Sequence, residues 1–103
     1  MIVRTWHGCV PLKYAESFAQ HLQNTGVEHA QNTPGNLGAF VKMQIQADQA
    51  HFFLATYWQD IKAVKAFAGD EYDVAVTWPE DERFALISDP YVFHHHVATV
   101  TPL

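Results

Sequence analysis

The chain has 103 residues, 49% hydrophobic and 17% charged, with a formal net charge of −5. That length is one domain, residues 1–103, with enough chain for a thin core. Its six Lys and Arg are scattered, which excludes nucleic acid and polybasic membrane contact as partners, and no stretch approaches the roughly 18 apolar residues of a membrane helix.

Residues 2–8 alternate as a strand, with Ile2, Arg4 and Trp6 on one face and Val3, Thr5 and His7 on the other. The opening MIVRTWHG lacks a basic start followed by a long apolar stretch, so no secretory leader is expected there. Cys9 is the only cysteine and can form no internal disulfide; the expectation is an inert thiol in a cytoplasmic protein. Pro11 ends the strand and suits a helix entry. Helical spacing over 12–25 places Tyr14, Phe18, His21 and Leu22 on one side, Gly26 reads as the stop, and EHAQNTPGN reads as a polar loop.

Residues 37–46 and 51–58 form two strands joined by a short turn at Asp48 and Gln49, an antiparallel hairpin. Asp60 is placed to cap a helix over Ile61–Ala68, which Gly69 ends. A second short helix is predicted over 71–76. Pro79-Glu80-Asp81 looks like another cap, a turn follows within 80–87, and a last strand covers 91–101. The order β-α-β-β-α-β is the ferredoxin-like α+β arrangement, a four-stranded antiparallel sheet with helices on one face. The uncovered face carries Trp, Phe and Tyr from several strands, and pairing two sheets across a two-fold axis hides it, so a homodimer is expected.

IVRTWHG at the start, TPGNLGAFV before the second strand, FFLATYWQDIKAVKAFAGDEYDVAVTWPED in the middle and SDPYVFHHHV near the end are spaced as in one family. Over most of its length the chain resembles the antibiotic biosynthesis monooxygenase family of dimeric α+β barrel proteins. The resemblance implies a homodimer with a pocket between sheet and helices in each subunit. The activities it implies are cofactor-independent oxygenation of polycyclic phenols or quinols, or oxidative haem degradation. Haem-degrading relatives use a His on the helix after the third strand, where this chain has Val76, and an Asn on the first strand, where it has Trp6 or a neighbour; the tryptophan closing the third strand, Trp58, is retained.

Each candidate residue has a functional and a plain structural explanation. Trp58 either stacks a flat substrate or fills the core at a strand end. Arg4 either steadies an enolate or phenolate or pairs with an acidic group of the partner subunit or a helix. His94 matches the family's recurring His and is the candidate acid or base; the alternative is a hydrogen-bonded sheet histidine. His94 and His96 share a strand face and His95 points away, but no third ligand is spaced to complete a metal site. Tyr72 and Trp78 either cap the pocket or pack the helices onto the sheet. His7, His21, His29 and His51 are placed in solvent or at element ends.

These observations point to an oxygenase without cofactor or metal, acting on a small aromatic phenol or quinol. Arg4 and His94 would be its catalytic residues, and Trp6, Trp58 and Tyr72 would hold the substrate. The alternatives are a non-enzymatic dimer that binds a small apolar ligand and, third, a haem-binding or haem-degrading protein.

Overall fold

The computed structural model describes residues 1–98. Its sheet contains β1 (Ile2–Pro11), β2 (Asn36–Gln46), β3 (Gln49–Trp58), β4 (Ile87–Ser88) and β5 (Phe93–His96), every pairing antiparallel, in the order β2-β3-β1-β4 with β5 also on β1. β4 lies opposite Gly8–Cys9 and β5 opposite Ile2–Thr5, so the two are one interrupted fourth strand in a ferredoxin-like sheet. Of the strand expected over 91–101, Phe93–His96 forms and residues 99–101 lie outside the described ones; β4 comes before it, beginning at the end of the turn expected over 80–87. The gap between β4 and β5 has a local cause. Pro90 has no N–H to give a ladder, and the chain there turns to a different partner: Ala75 N donates to Pro90 O (3.0 Å) and Val92 N to Asp73 O (2.8 Å). The hairpin turn is Ala47–Asp48, one residue earlier than expected, with Ala47 at φ 54°.

The first helical segment is longer than its sequence signals suggest. A 3₁₀ turn (Leu12–Tyr14) leads into α1 (Ala15–Leu22), a π-helical turn (Gln23–Val27) and α2 (Glu28–Gln31). Gly26 does not stop it, and EHAQ is helix rather than loop. The reason is burial: Gly26, Val27 and Ala30 continue the apolar face onto the sheet. A Cβ on Gly26 would make ordinary contact with Leu22 at 3.4 Å and Leu54 at 3.6 Å, so this glycine lies inside the packed face of the helix, not at its end. The helix ends at Asn32, just before Pro34 and Gly35 (φ 92°).

α3 (Ile61–Ala68) forms as expected. The Asp60 carboxylate accepts from Ala63 N at 2.9 Å, and Gly69 ends the helix at φ 85°. The helix expected over 71–76 is absent. Residues 72–73 turn instead and Val74 bridges Tyr91. The Arg4 guanidinium takes the carbonyls of Tyr72 and Val74 as acceptors, and β-branched Val74 and Val76 favour extended backbone. A 3₁₀ helix (Pro79–Phe84) follows, with Trp78 N donating to Asp81 Oδ2 at 2.9 Å.

Alternation along β1 and β3 sends Arg4, Trp6 and Val10, and Phe52, Leu54, Thr56 and Trp58, toward the helices. They build two apolar clusters, one around Val10, Phe18, Leu22, Phe52 and Phe84, the other around Ile2, Trp58, Val64 and Phe67. Both strand tryptophans are on this covered side, not on the bare face. The bare face shows Phe40, Phe53 and Phe93, which are 59%, 39% and 69% exposed. No described helix is long and apolar enough to cross a membrane.

Candidate functional site

Arg4 is the central polar group under the helices. Its position on β1 is set by pairing with Thr56 on one side and His94 on the other. Only 4% of it is exposed. Its guanidinium donates to Tyr72 O, to Val74 O (3.2 Å) and to His94 Nε2 (3.2 Å), and its Cζ stands 5.6 Å over the Phe67 ring. Among the described residues no carboxylate lies within ion-pair distance of it. Burial pulls its pKa down to about 10, with nearby Asp73 acting the other way, so it stays charged at neutral pH. This is a buried cation satisfied by neutral acceptors, an arrangement that favours an anion beside it.

A cavity of about 40 Å³ lies next to Arg4 between sheet and helices. Trp6, Phe18, Leu22, Leu54 and Phe67 make its apolar walls; Arg4, Thr25 and Asp81 are its polar points. Thr25 and Gly26 face it from the π-helical turn, whose extra width places them there. Trp78, Asp81 and Leu86 line both this cavity and an outer groove of about 450 Å³, so they form the partition between the two. Trp6 is held by its Nε1–H, which donates to Ser88 Oγ at 2.8 Å, and its indole occupies the space that a Cβ on Gly8 would need.

The sequence reading missed the second polar feature of this cavity. His21 is not at a solvent-facing element end but buried, and its Nε2 meets Asp81 Oδ1 at 2.7 Å. The two side chains are 7% and 14% exposed. Asp81, read as a plain cap, does cap Trp78 N but also reaches the cavity wall. The signal was present in part, since His21 falls on the apolar side of its helix with Phe18 and Leu22; its partner, 60 residues on, was not legible.

Of the five expected site residues, Arg4, His94 and Tyr72 touch one another, Trp6 shares the cavity wall with Arg4, and Trp58 stands apart. Arg4 and Trp6 are on the cavity wall, and His94 lies directly behind Arg4 without reaching the wall. His94 Nδ1 is 3.3 Å from Asp73 Oδ1. Burial, and then the Arg4 charge, hold the His94 pKa below its ordinary value, with Asp73 opposing. Trp58 is fully buried in the core, its Nε1–H donating to Thr56 Oγ1 at 2.8 Å, and it is not on the wall. Tyr72 packs edge-on to His94 and offers Arg4 its carbonyl, also away from the wall.

On the opposite sheet face, His7 and His51 stack 5.1 Å apart, His7 Nε2 meets His51 Nδ1 at 2.8 Å, and His7 Nδ1 meets Asp89 at 3.2 Å. Among the described residues no group of three or more His, Cys, Asp or Glu is placed to hold a metal ion.

No protein-family model and no curated protein matches the sequence. Solved structures do. A Deinococcus radiodurans protein assigned as an antibiotic biosynthesis monooxygenase superposes with a TM-score of 0.67 at 14% identity, over 100% of this chain and 98% of that one. The haem degrader MhuD from Mycobacterium tuberculosis, with two haems bound in its active site, gives 0.64 at 15% identity over 99% and 100%. A point mutant of MhuD, with two manganese protoporphyrin IX molecules per active site, gives 0.65 at 15% over 99% of each chain. The chain thus has the antibiotic biosynthesis monooxygenase fold, matched end to end, with a charged cavity under its helices.

Proposed function

We propose that this protein is a small-molecule oxygenase of the antibiotic biosynthesis monooxygenase type, acting on an aromatic ring that bears an ionisable hydroxyl. The observation that carries this reading is Arg4: a buried guanidinium with no carboxylate bonded to it among the described residues, on the wall of a largely apolar cavity. Such a cation stabilises a phenolate more than the neutral phenol, and a preorganised charge in a dry site is a large catalytic term. Trp6 and Phe67 supply the flat apolar walls.

The hydroxyl gives up its proton and passes one electron to dioxygen, leaving an aryloxyl radical and superoxide, and the two radicals combine at a ring carbon that carries hydrogen. Loss of water from that peroxide leaves a carbonyl. One oxygen atom ends in the ring and the other in water, and the substrate supplies every electron. At about 40 Å³ the cavity is below the roughly 300–1,000 Å³ of ligand clefts, so a bicyclic ring enters only when the partition at Trp78 and Leu86 opens to the outer groove. That small volume also favours a second reading, a binding protein that holds an apolar ligand without turning it over.

Haem does not fit the wall. Iron needs an axial imidazole, thiolate, thioether or phenolate. The wall carries none among the described residues, with Val76 where the resemblance places a ligand.

We also propose that two copies pair through the bare sheet face, because three exposed phenylalanines on one face are a large apolar patch for a small domain. A monomeric mass by light scattering at micromolar concentration removes the dimer, and a Phe93→Glu variant that stays dimeric removes this sheet face as its interface.

The oxygenase test is oxygen uptake with 1-naphthol and its ring-hydroxylated relatives. The expected product from 1-naphthol is 1,4-naphthoquinone, and Arg4→Met should lose it. Ligand retained in native mass spectrometry but unchanged by air favours the binding protein instead.

A further inference from the structure

The cavity wall carries two charged side chains, Arg4 and Asp81, and Asp81 is paired with His21 behind it. A carboxylate on the wall of an apolar cavity is costly to keep ionised unless donors hold it there. Asp81 has two: Trp78 N on Oδ2 (2.9 Å) and His21 Nε2 on Oδ1 (2.7 Å). Each carboxylate oxygen can accept two hydrogen bonds, so Asp81 has acceptor capacity left.

Because the carboxylate only accepts, His21 Nε2 carries the hydrogen. The imidazole is fixed between the Phe18 and Phe84 rings, 5.7 and 4.8 Å away by centroid. Its Nδ1 makes no hydrogen bond among the described residues. The only fully enclosed side-chain polar atom without a partner there is Gln49 Oε1, so Nδ1 still reaches water. The pair therefore joins the cavity wall to solvent, and its carboxylate is held in one orientation from two sides.

We propose that Asp81 is the proton acceptor of this cavity and that His21 is the residue positioning it. This rests on the oxygenase reading of the Arg4 cavity. A carboxylate is a weak base toward a resting phenol, but a phenol that is losing an electron is a far stronger acid, and acid–base efficiency follows that match. As the hydroxyl gives an electron to dioxygen, its O–H bond breaks and the proton moves to Asp81. The products are an aryloxyl radical, superoxide and a neutral carboxyl. When the radicals join at the para carbon, the Asp81 proton goes to the outer peroxide oxygen. Water then leaves and Asp81 is a carboxylate again. Arg4 sits where the negative charge of phenolate or superoxide is carried. Both charged groups of the wall are thus assigned, one to charge and one to the proton.

The experiment pairs anaerobic binding of 1-naphthol, read by tryptophan fluorescence, with oxygen uptake and quinone absorbance. Asp81→Asn should bind 1-naphthol within about threefold of wild type, while uptake falls by about 100-fold or more. His21→Leu should keep KM and lower kcat, because the carboxylate loses the donor that fixes its orientation, and His21→Gln, which can donate there, should restore part of kcat. A structural role alone would not split kcat from KM in this way.

Uptake in Asp81→Asn within about threefold of wild type overturns the assignment and leaves the oxygenase reading standing. So does an unchanged kcat in His21→Leu. If Asp81→Asn does not fold by circular dichroism, the kcat of His21→Leu and its rescue in His21→Gln decide alone. Wild-type protein that binds no naphthol, or binds it and consumes no oxygen, overturns the oxygenase reading and this assignment together.

Discussion

Arg4 and His94 face each other across paired strands, with guanidinium and imidazole Nε2 3.2 Å apart. A guanidinium only donates, so His94 Nε2 must accept and its proton sits on Nδ1, facing Asp73 at 3.3 Å. A surface carboxylate, a neutral imidazole and a buried cation therefore form one chain. With its Nε2 lone pair committed to Arg4, His94 holds the cation in place rather than meeting a ligand.

That chain predicts a pH dependence. The folded-state pKa of His94 is lowered, first by burial and then by Arg4. A lowered histidine pKa means the folded state disfavours the proton. The stability His94 contributes is present above the unfolded value of about 6.5 and is lost as pH falls below it. Urea midpoints between pH 7.5 and 5 should fall more steeply for wild type than for His94→Gln; parallel curves would refute the assignment.

Arg4→Lys keeps the charge and loses the fork. One ammonium cannot serve Tyr72 O, Val74 O and His94 together. A buried carbonyl left without a donor costs about 1–3 kcal/mol, so a stability loss of that size is expected by urea denaturation, together with weaker naphthol binding. Wild-type stability in the variant would show that those carbonyls have other partners.

Gly26→Ala should separate stability from binding. The backbone there is helical, and an added methyl makes ordinary contact with Leu22 and Leu54. Removing the glycine's chain freedom should stabilise by about 0.5–1 kcal/mol. The same methyl enters the cavity wall, so naphthol affinity should drop. Chemical denaturation and fluorescence titration measure the two effects.

Trp58 and Trp6 should behave oppositely. Trp58→Ala should cost about 3–5 kcal/mol, because its whole side chain is in the core. Trp58→Phe should leave naphthol affinity near wild type, whereas Trp6→Phe should weaken it, since only Trp6 lines the cavity. Equal losses of affinity in Trp58→Phe and Trp6→Phe would put Trp58 at the ligand.

Much of this was legible in the linear chain. Period-two alternation put Arg4 and Trp6 on one face, and His94 with His96 away from His95; the pairing of Ile2 with His96 and Arg4 with His94 agrees. Asp60 and Gly69 bounded α3 correctly. These features depend on neighbours within four residues, and side-chain direction and capping act at that range. Gly26 misled because the helix continues through it by burying its face against Leu54, far along the chain.

What the tertiary structure alone decided was which polar groups meet. Arg4 finds the carbonyls at 72 and 74 and so prevents a helix there; His21 finds Asp81; Trp58 is used up in the core while Trp6 reaches the cavity. Local pattern says which face a side chain takes. Whether that face becomes core, cavity wall or ion-binding corner depends on where a distant segment packs, because a buried polar group accepts whichever partner the folded chain brings to it.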